Sequence, residues 1–594
     1  MTFAADYDDP RYGPWNPGIE SQIPTELMHL ATIFRPETAR NTLADVQELH
    51  DLTGLPLPEI SAFRPERLAL HEVLVRVTAN ISVPDGNRIE DLGISFRQIT
   101  RTLLERHVEP QMATIRSVYD ATRGALGDVV ERELERIFPV PGARTSTPAG
   151  RGWWQRAFGG GRGVPQPAVV STAALVAEWE AAARAAGDPV ERAAARALAR
   201  TVSALLVKHG EVWGERSTIA RVAVDLAANT LGSDVIGALI EPMIAAAAAQ
   251  EGFPLLPRQD HPVVMNTKGP SAAGKSTMRL LQKDLAGRIG VDWSEFALIS
   301  PDIWRKQLLD YASLGPAYKY AGAFTGEELY IVDQKLDRYM ARKAQRGGMS
   351  HLLIDRFRFD SFAPDSDEAG SNLLTRFGQI VYMFFLITPP HLLVDRAWNR
   401  GRDVGRYKAV DDTLAHAVEA YSGMPELFFT WVRRSDKRVH FEFLDNTVAR
   451  GEPPRTAAFG WNDRLNILDV RCLIDIERFR KIDVNAQSPD ALYERGESFA
   501  AASNCTFLRR CVNEFREVQF VEQASGRVYL GVEAGKLVFS DAELLRQMLA
   551  DEDTGAGLLS ALPELAHRST GQSPFPRRFD ASERVHTVGI WGQA

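Results

Sequence analysis

"PVVMNTKGPSAAGKSTMRLLQKDL", residues 262–285, decides how this chain reads. An apolar run, Val263 to Met265, leads into two glycines five positions apart. Lys275, Ser276 and Thr277 follow, and Met278, Leu280, Leu281 and Leu285 then fall at helical spacing. Gly269 to Ser276 fits G-x-x-x-x-G-K-[ST] without a mismatch. Glycines let the backbone curl until successive N–H groups point at one anion, Lys275 can reach the outer phosphates, and the Ser276 hydroxyl can ligate Mg²⁺. The residues expected to hold ATP are Gly269, Ser271, Ala272, Ala273, Gly274, Lys275, Ser276 and Thr277.

Outward from this loop, "PVVMN", "FALIS", "HLLID", "VYMFFLIT" and "VHFEFLDN" each read as a buried strand, with helices between several of them. Strands alternating with helices predict an α/β domain over 256–485, with a mainly parallel sheet and helices on both faces. The helix from Gly326 has Thr325 and Glu328 at capping-box spacing and a stop at Gly347 and Gly348. Past 485, "EVQFVEQASGRVYLGVEAGKLVFSD" predicts a small antiparallel meander with turns at Ser525-Gly526 and Gly535-Lys536, then a helix from Asp541, so 486–594 reads as a small α+β region. Before the loop, 1–60 is proline-rich and reads as a loosely structured leader, and 61–138 as helical. Residues 139–170 are a Pro/Gly/Arg linker carrying Trp153 and Trp154, and 171–255 is an alanine-rich run of two to four helices.

At 594 residues the chain is long enough for about three to four domains. A net charge of -8 argues against a general nucleic-acid binder. Cys472, Cys505 and Cys511 make neither a disulfide framework nor a zinc spacing, so a reducing compartment is the simplest expectation. The acidic N-terminus lacks the pattern of a secretory signal, and "VIGALIEPMIAAAAA", interrupted by Glu241 and Pro242, reads as too short to span a bilayer. The expectation is a soluble, cytoplasmic protein without a membrane partner, with export to another cell as an effector left open.

A phosphate cradle serves kinases, motors and switches alike, so neighbouring charges decide. Asp302 follows "FALIS" at the rim where α/β sheets bind ligands, placed to accept a proton from a substrate hydroxyl, although it could equally cap the helix after Pro301. Asp355 ends "HLLID" as a carboxylate that can hold Mg²⁺. After "VYMFFLIT", Arg396, Arg400, Arg402, Arg406 and Lys408 fall within thirteen residues, with Gly401 and Gly405 between them. Such cations suit a mobile lid that closes over phosphoryl charge, because guanidinium pairs with two phosphate oxygens. No N-K-x-D follows a strand, which argues against a guanine-nucleotide switch.

These residues resemble the zeta-toxin family of P-loop kinases over roughly 256–485, about two fifths of the chain. The resemblance implies Lys275 on ATP phosphates, Ser276 on Mg²⁺, and Asp302, in the x-x-D-x-[FW]-[KR] context completed by Trp304 and Arg305, as catalytic base. Asp355 matches a family carboxylate that is usually a glutamate before a glycine-rich turn. "DRFRF" departs from that turn, so Arg356 and Arg358 receive no family role. "KGPSAAGKST", "AFTGEEL" and "GRYKAVDD" look most similar to plant-pathogen effector kinases that phosphorylate NAD, with UDP-N-acetylglucosamine the next acceptor. The implied protein is an ATP- and Mg²⁺-dependent toxin or effector kinase, with an antitoxin or chaperone as partner. The competing expectation is a nucleotide-dependent switch that binds a partner through its helical N-terminal region; that region could also restrain a toxic kinase.

Overall fold

β1 (Val263–Lys268), β2 (Phe296–Ile299), β3 (His351–Asp355), β4 (Ile380–Ile387) and β5 (Arg438–Asp445) lie side by side in the order β2-β3-β1-β4-β5, every pair parallel. They are the five runs read as strands from sequence. Their side chains are buried on both faces of the pleat, which is why the runs are continuously apolar rather than alternating. β1 lies between β3 and β4, with Thr267 level with Asp355 and Lys268 level with Phe385.

The computed structural model describes residues 10–138, 171–356, 374–493, 497–566 and 581–592. The linker at 139–170, with Trp153 and Trp154, and Arg358 lie outside the described residues. Beyond β5 the sheet continues through β6 (Arg455–Trp461), β7 (Arg464–Ile467), β8 (Glu517–Val521), β9 (Val528–Glu533) and β10 (Lys536–Ser540). Here the pairs are antiparallel except β7 with β8, giving one ten-stranded, mainly parallel sheet. The meander has the turns expected at Gly526 and Gly535, both at positive φ, and Asp541 caps the helix Ala542–Ala550. It is not freestanding, however. Beside its pairing to β7, Phe507 and Phe515 stack around Phe428 of the helix Val410–Val432, together with Phe385, Phe441 and Phe443 of β4 and β5.

By contact the chain divides into two units, one of residues 28–73 with 103–246, the other of residues 1–27, 74–102 and 247–594, which carries the sheet. The first unit is helical, built on Leu43–Thr53, Met112–Leu134, Thr172–Ala185, Pro189–His209 and Arg216–Ala227. Leu43–Thr53 corrects the loosely structured leader expected over 1–60. Thr42 and Asp45 form a capping box, and Val46 and Leu49 are buried, which the prolines on either side obscure in the sequence. The apolar run read as too short for a bilayer belongs to a continuous helical stretch, Arg216–Glu251, long and apolar enough to cross one by length and composition; 44% of its most apolar window is buried.

Next to β5, residues 587–591 are held by Glu442, which accepts from the Thr456 hydroxyl at 2.7 Å and from the Val588 and Gly589 amides at 2.8 and 3.0 Å. Burial pushes this carboxyl up to about 7 from an ordinary 4.5, while those three donors and Arg288 pull it down. The folded chain therefore keeps a proton that the unfolded chain gives up, and stability is lost as pH rises between about 4.5 and 7. Glu442→Gln is expected to flatten the pH dependence of the unfolding free energy, read from urea denaturation between pH 5 and 8, relative to wild type by about 3 kcal/mol. Parallel pH profiles of the two proteins would refute this.

Candidate active site

The loop after β1 turns between two neighbours that leave no room for side chains. A Cβ on Gly269 would stand 3.0 Å from the Leu386 Cβ and 3.1 Å from its carbonyl oxygen, and one on Gly274 would stand 2.7 Å from the Asn446 amide nitrogen. Gly274 (φ 95°) and Ala272 (φ 64°) take left-handed conformations, which for alanine costs about 1 kcal/mol or more and must be held by its surroundings. Asn446, just past β5, supplies that hold by donating from Nδ2 to the Ala273 carbonyl at 2.6 Å. Among the described residues the amides of Ser271, Ala272 and Gly274 make no backbone hydrogen bond, so the curled loop presents them as donors.

Lys275 Nζ donates to the Gly269 and Pro270 carbonyls, both at 3.0 Å. Burial lowers its pKa, with Asp355 and Asp302 opposing. Ser276 Oγ donates to Asp355 Oδ2 at 3.1 Å, and Ser300 Oγ, at the end of β2, to the same oxygen at 3.3 Å. A carboxylate flanked by hydroxyls is a hard oxygen set of the kind Mg²⁺ takes, so the residues fit that ion. Thr277 does not share in this: its hydroxyl donates to the Gly274 carbonyl at 2.6 Å and braces the turn.

Asp302 does not cap the following helix. Its Oδ1 accepts from Arg305 Nε at 2.9 Å and its Oδ2 from Arg406 at 2.6 Å, while its side chain stays 45% exposed. Burial in the cleft would raise its pKa, but Arg406 and Arg305 outweigh this and hold the carboxyl well below the usual range. Arg305 is itself fixed by donating to the Gly322 carbonyl at 2.6 Å and the Thr325 hydroxyl at 2.7 Å. Thr325 therefore does not cap the helix Gly326–Gln345 as its spacing to Glu328 predicts. Its hydroxyl turns back to Ala321 and Gly322 and receives Arg305 instead.

The arginines of 396–406 have different fates. Arg396 donates to the Asn446 and Val448 carbonyls, fixing the segment after β5, and Arg402 is exposed on the helix Pro390–Val404. Arg400 is half-buried near Arg406. Its pKa falls to about 9 through burial and that neighbour, and its Nε has no partner among the described residues. Arg400 and Arg406 are thus the two that the fold brings to Asp302. Gly401 has a packing role rather than a hinge role, because a Cβ there would meet the Tyr407 ring at 2.4 Å.

Sequence reasoning missed three participants. Ser300 and Asn446 carry no motif signal. Lys408, noticed only as one more cation, contacts His416 Nδ1 and lies 3.4 Å from Asp412, with burial, Arg400 and Lys275 bringing its pKa down to about 7. Among the described residues no group of three or more His, Cys, Asp or Glu side chains forms a metal centre. No family model, curated protein or solved structure matches the chain.

Arg356, next to Asp355, points the other way along the pleat. It is 2% exposed and pairs with Asp333 at 2.5 Å and Asp337 at 2.6 Å on the helix Gly326–Gln345. Its role is structural, so Arg356→Met, which removes the guanidinium from between two buried carboxylates, is expected to cost about 3–5 kcal/mol in denaturant unfolding. Adding Asp333→Asn and Asp337→Asn should recover much of the loss, whereas no recovery would refute the ion-triad account.

Proposed function

We propose that the chain is an ATP- and Mg²⁺-dependent kinase that transfers the γ-phosphate to a ribose or sugar hydroxyl of a nucleotide metabolite, with NAD favoured and UDP-N-acetylglucosamine next. The observation carrying this reading is the position of Asp302. Its exposed carboxylate is clamped by Arg305 and Arg406 in the same cleft as Lys275, Ser276 and Asp355. A loop built only to hold a nucleotide needs no such carboxylate.

In this reading the donor amides of Ser271, Ala272 and Gly274 receive phosphate oxygens, and Lys275 exchanges its two loop carbonyls for the outer phosphates. Ser276 and Asp355 hold Mg²⁺ or its waters, and the ion, when bound, neutralises phosphate charge and orients the transferred group. Asp302, ionised throughout the working pH range, accepts a hydrogen bond from the acceptor hydroxyl and orients it for in-line attack. A weak base suffices because the transition state of phosphoryl transfer is loose, and the hydroxyl proton departs late. Arg406 is shared between Asp302 and the incoming phosphate, and Arg400 supplies a second cation to the equatorial oxygens.

Asp302→Asn should leave ATP affinity near wild type and reduce transfer roughly 10²- to 10⁴-fold, whereas Lys275→Ala should lose both. The assay is transfer of label from γ-labelled ATP to separate pools of NAD and UDP-N-acetylglucosamine. Near-normal transfer by Asp302→Asn removes the base assignment. ATP binding with no labelled small molecule favours the switch over the kinase.

A further inference from the structure

Outside the loop and its lid, the residues most closely tied to this cleft come from far upstream. Arg279 Nη2 donates to the Ile89 carbonyl at 2.7 Å, Lys283 pairs with Asp85 at 3.2 Å, and Leu92 lines the pocket shared by Ser276, Ser300 and Asp355. The segment 85–92 is therefore fastened to the helix Met278–Arg288, and it leads directly into the helix Asp91–Leu103. At Gly93 the absent side chain leaves space between two groups. A Cβ there would stand 3.1 Å from the Arg97 guanidinium and 3.9 Å from Ile303, the residue after Asp302. One turn beyond Ile303, the Lys306 ammonium lies 5.7 Å from the centre of the Tyr311 ring.

We propose that the helix Asp91–Leu103 completes the acceptor side of the site, with Arg97 and Lys306 forming a subsite for the acceptor's own phosphate or diphosphate. Among the described residues neither cation is in an ion pair; Arg97 is half-buried and Lys306 exposed. Burial and Arg101 lower the Arg97 pKa. Burial, Arg97 and Arg406 lower that of Lys306, against which Glu90 pulls only weakly. Like charges gathered without a paired counter-ion repel one another, and a multiply charged anion reverses that repulsion. The pair also divides the chemistry well: a planar fork for two oxygens and a mobile point charge for a third. In the kinase reading Lys275, Arg400 and Arg406 serve the transferred phosphate, which leaves Arg97 and Lys306 for the acceptor. The inference rests on the kinase reading, and it makes the N-terminal helix a contributor to catalysis rather than a restraint on it.

The test uses the full chain saturated with Mg²⁺ and a non-hydrolysable ATP analogue, titrated calorimetrically with inorganic pyrophosphate as probe. Wild type should bind the probe. Arg97→Met and Lys306→Met should each weaken it by roughly tenfold to a hundredfold, with Arg97→Lys recovering part and the affinity for the ATP analogue unchanged. No binding by wild type, unchanged affinity in both variants, or equal loss of probe and analogue affinity would overturn the proposal. Thermal unfolding shows which variants fold, and if Arg97→Met does not, Lys306→Met decides. Should the analogue itself fail to bind, the kinase reading falls, and the same titration run without it still decides whether Arg97 and Lys306 hold an anion.

Discussion

Parallel pairing of β1 with β3 on one side and β4 on the other is the constraint from which the site follows. Parallel strands deliver all their carboxyl ends to one edge. With Thr267 level with Asp355, the loop leaving β1 starts beside a carboxylate, and Ser276 meets it after a single turn of chain. With Lys268 level with Phe385, Leu386 closes against Gly269 and excludes any larger residue there. The pairing of β4 with β5 then brings Asn446 onto the Ala273 carbonyl. A slip of one residue at either pairing would turn every one of these groups to the opposite face.

Charge at this edge is arranged in two layers. The deeper layer is an ion triad: Arg356 lies 2.5 Å from Asp333 and 2.6 Å from Asp337 and fixes the end of β3 to a helix. The outer layer is open, since Asp302 carries two arginines and Lys408 has Asp412 at 3.4 Å, while Arg400 is half-buried with an Nε that has no partner among the described residues. The first layer stabilises the fold only because all its members are present. The second is suited to a polyanion, which supplies the missing charge from outside.

How much of this was legible in the sequence depends on the range of the interaction. The five core strands are local patterns, and they read correctly. β6, "RTAAFGW", carries alanines and a glycine in place of β-branched residues, and β7, "RLNI", is four residues alternating with Arg464 and Asn466, so neither registers as a strand. That the C-terminal meander joins the same sheet depends on β7 pairing with β8 across some fifty residues, and no local signal carries it. The division of labour among the arginines was equally hidden. Arg406 reaches Asp302 from 104 positions away and Arg396 reaches the carbonyls of Asn446 and Val448, yet both are simply basic residues near a helix end. Even a local pattern can mislead: Thr325 has capping-box spacing, but Arg305 and the preceding carbonyls compete for its hydroxyl and win.

The chain before the loop is not one appendage. Residues 10–27 and 74–102 belong with the sheet, whereas 28–73 and 103–246 form the helical unit. Tyr12 lies over the Lys319 ammonium at 4.1 Å, and the same ammonium lies 5.6 Å from Tyr407, between Arg406 and Lys408. Asp85 and Ile89 hold Lys283 and Arg279. Removing everything before residue 250 would therefore strip partners from the loop helix and from the arginine-bearing segment together with the helical unit. A loss of activity after such a truncation would say nothing about restraint, because the cut severs the supports of the site itself. Whether the helical unit regulates the site is a question for changes confined to 28–73 and 103–246, which leave Tyr12, Asp85 and Ile89 in place.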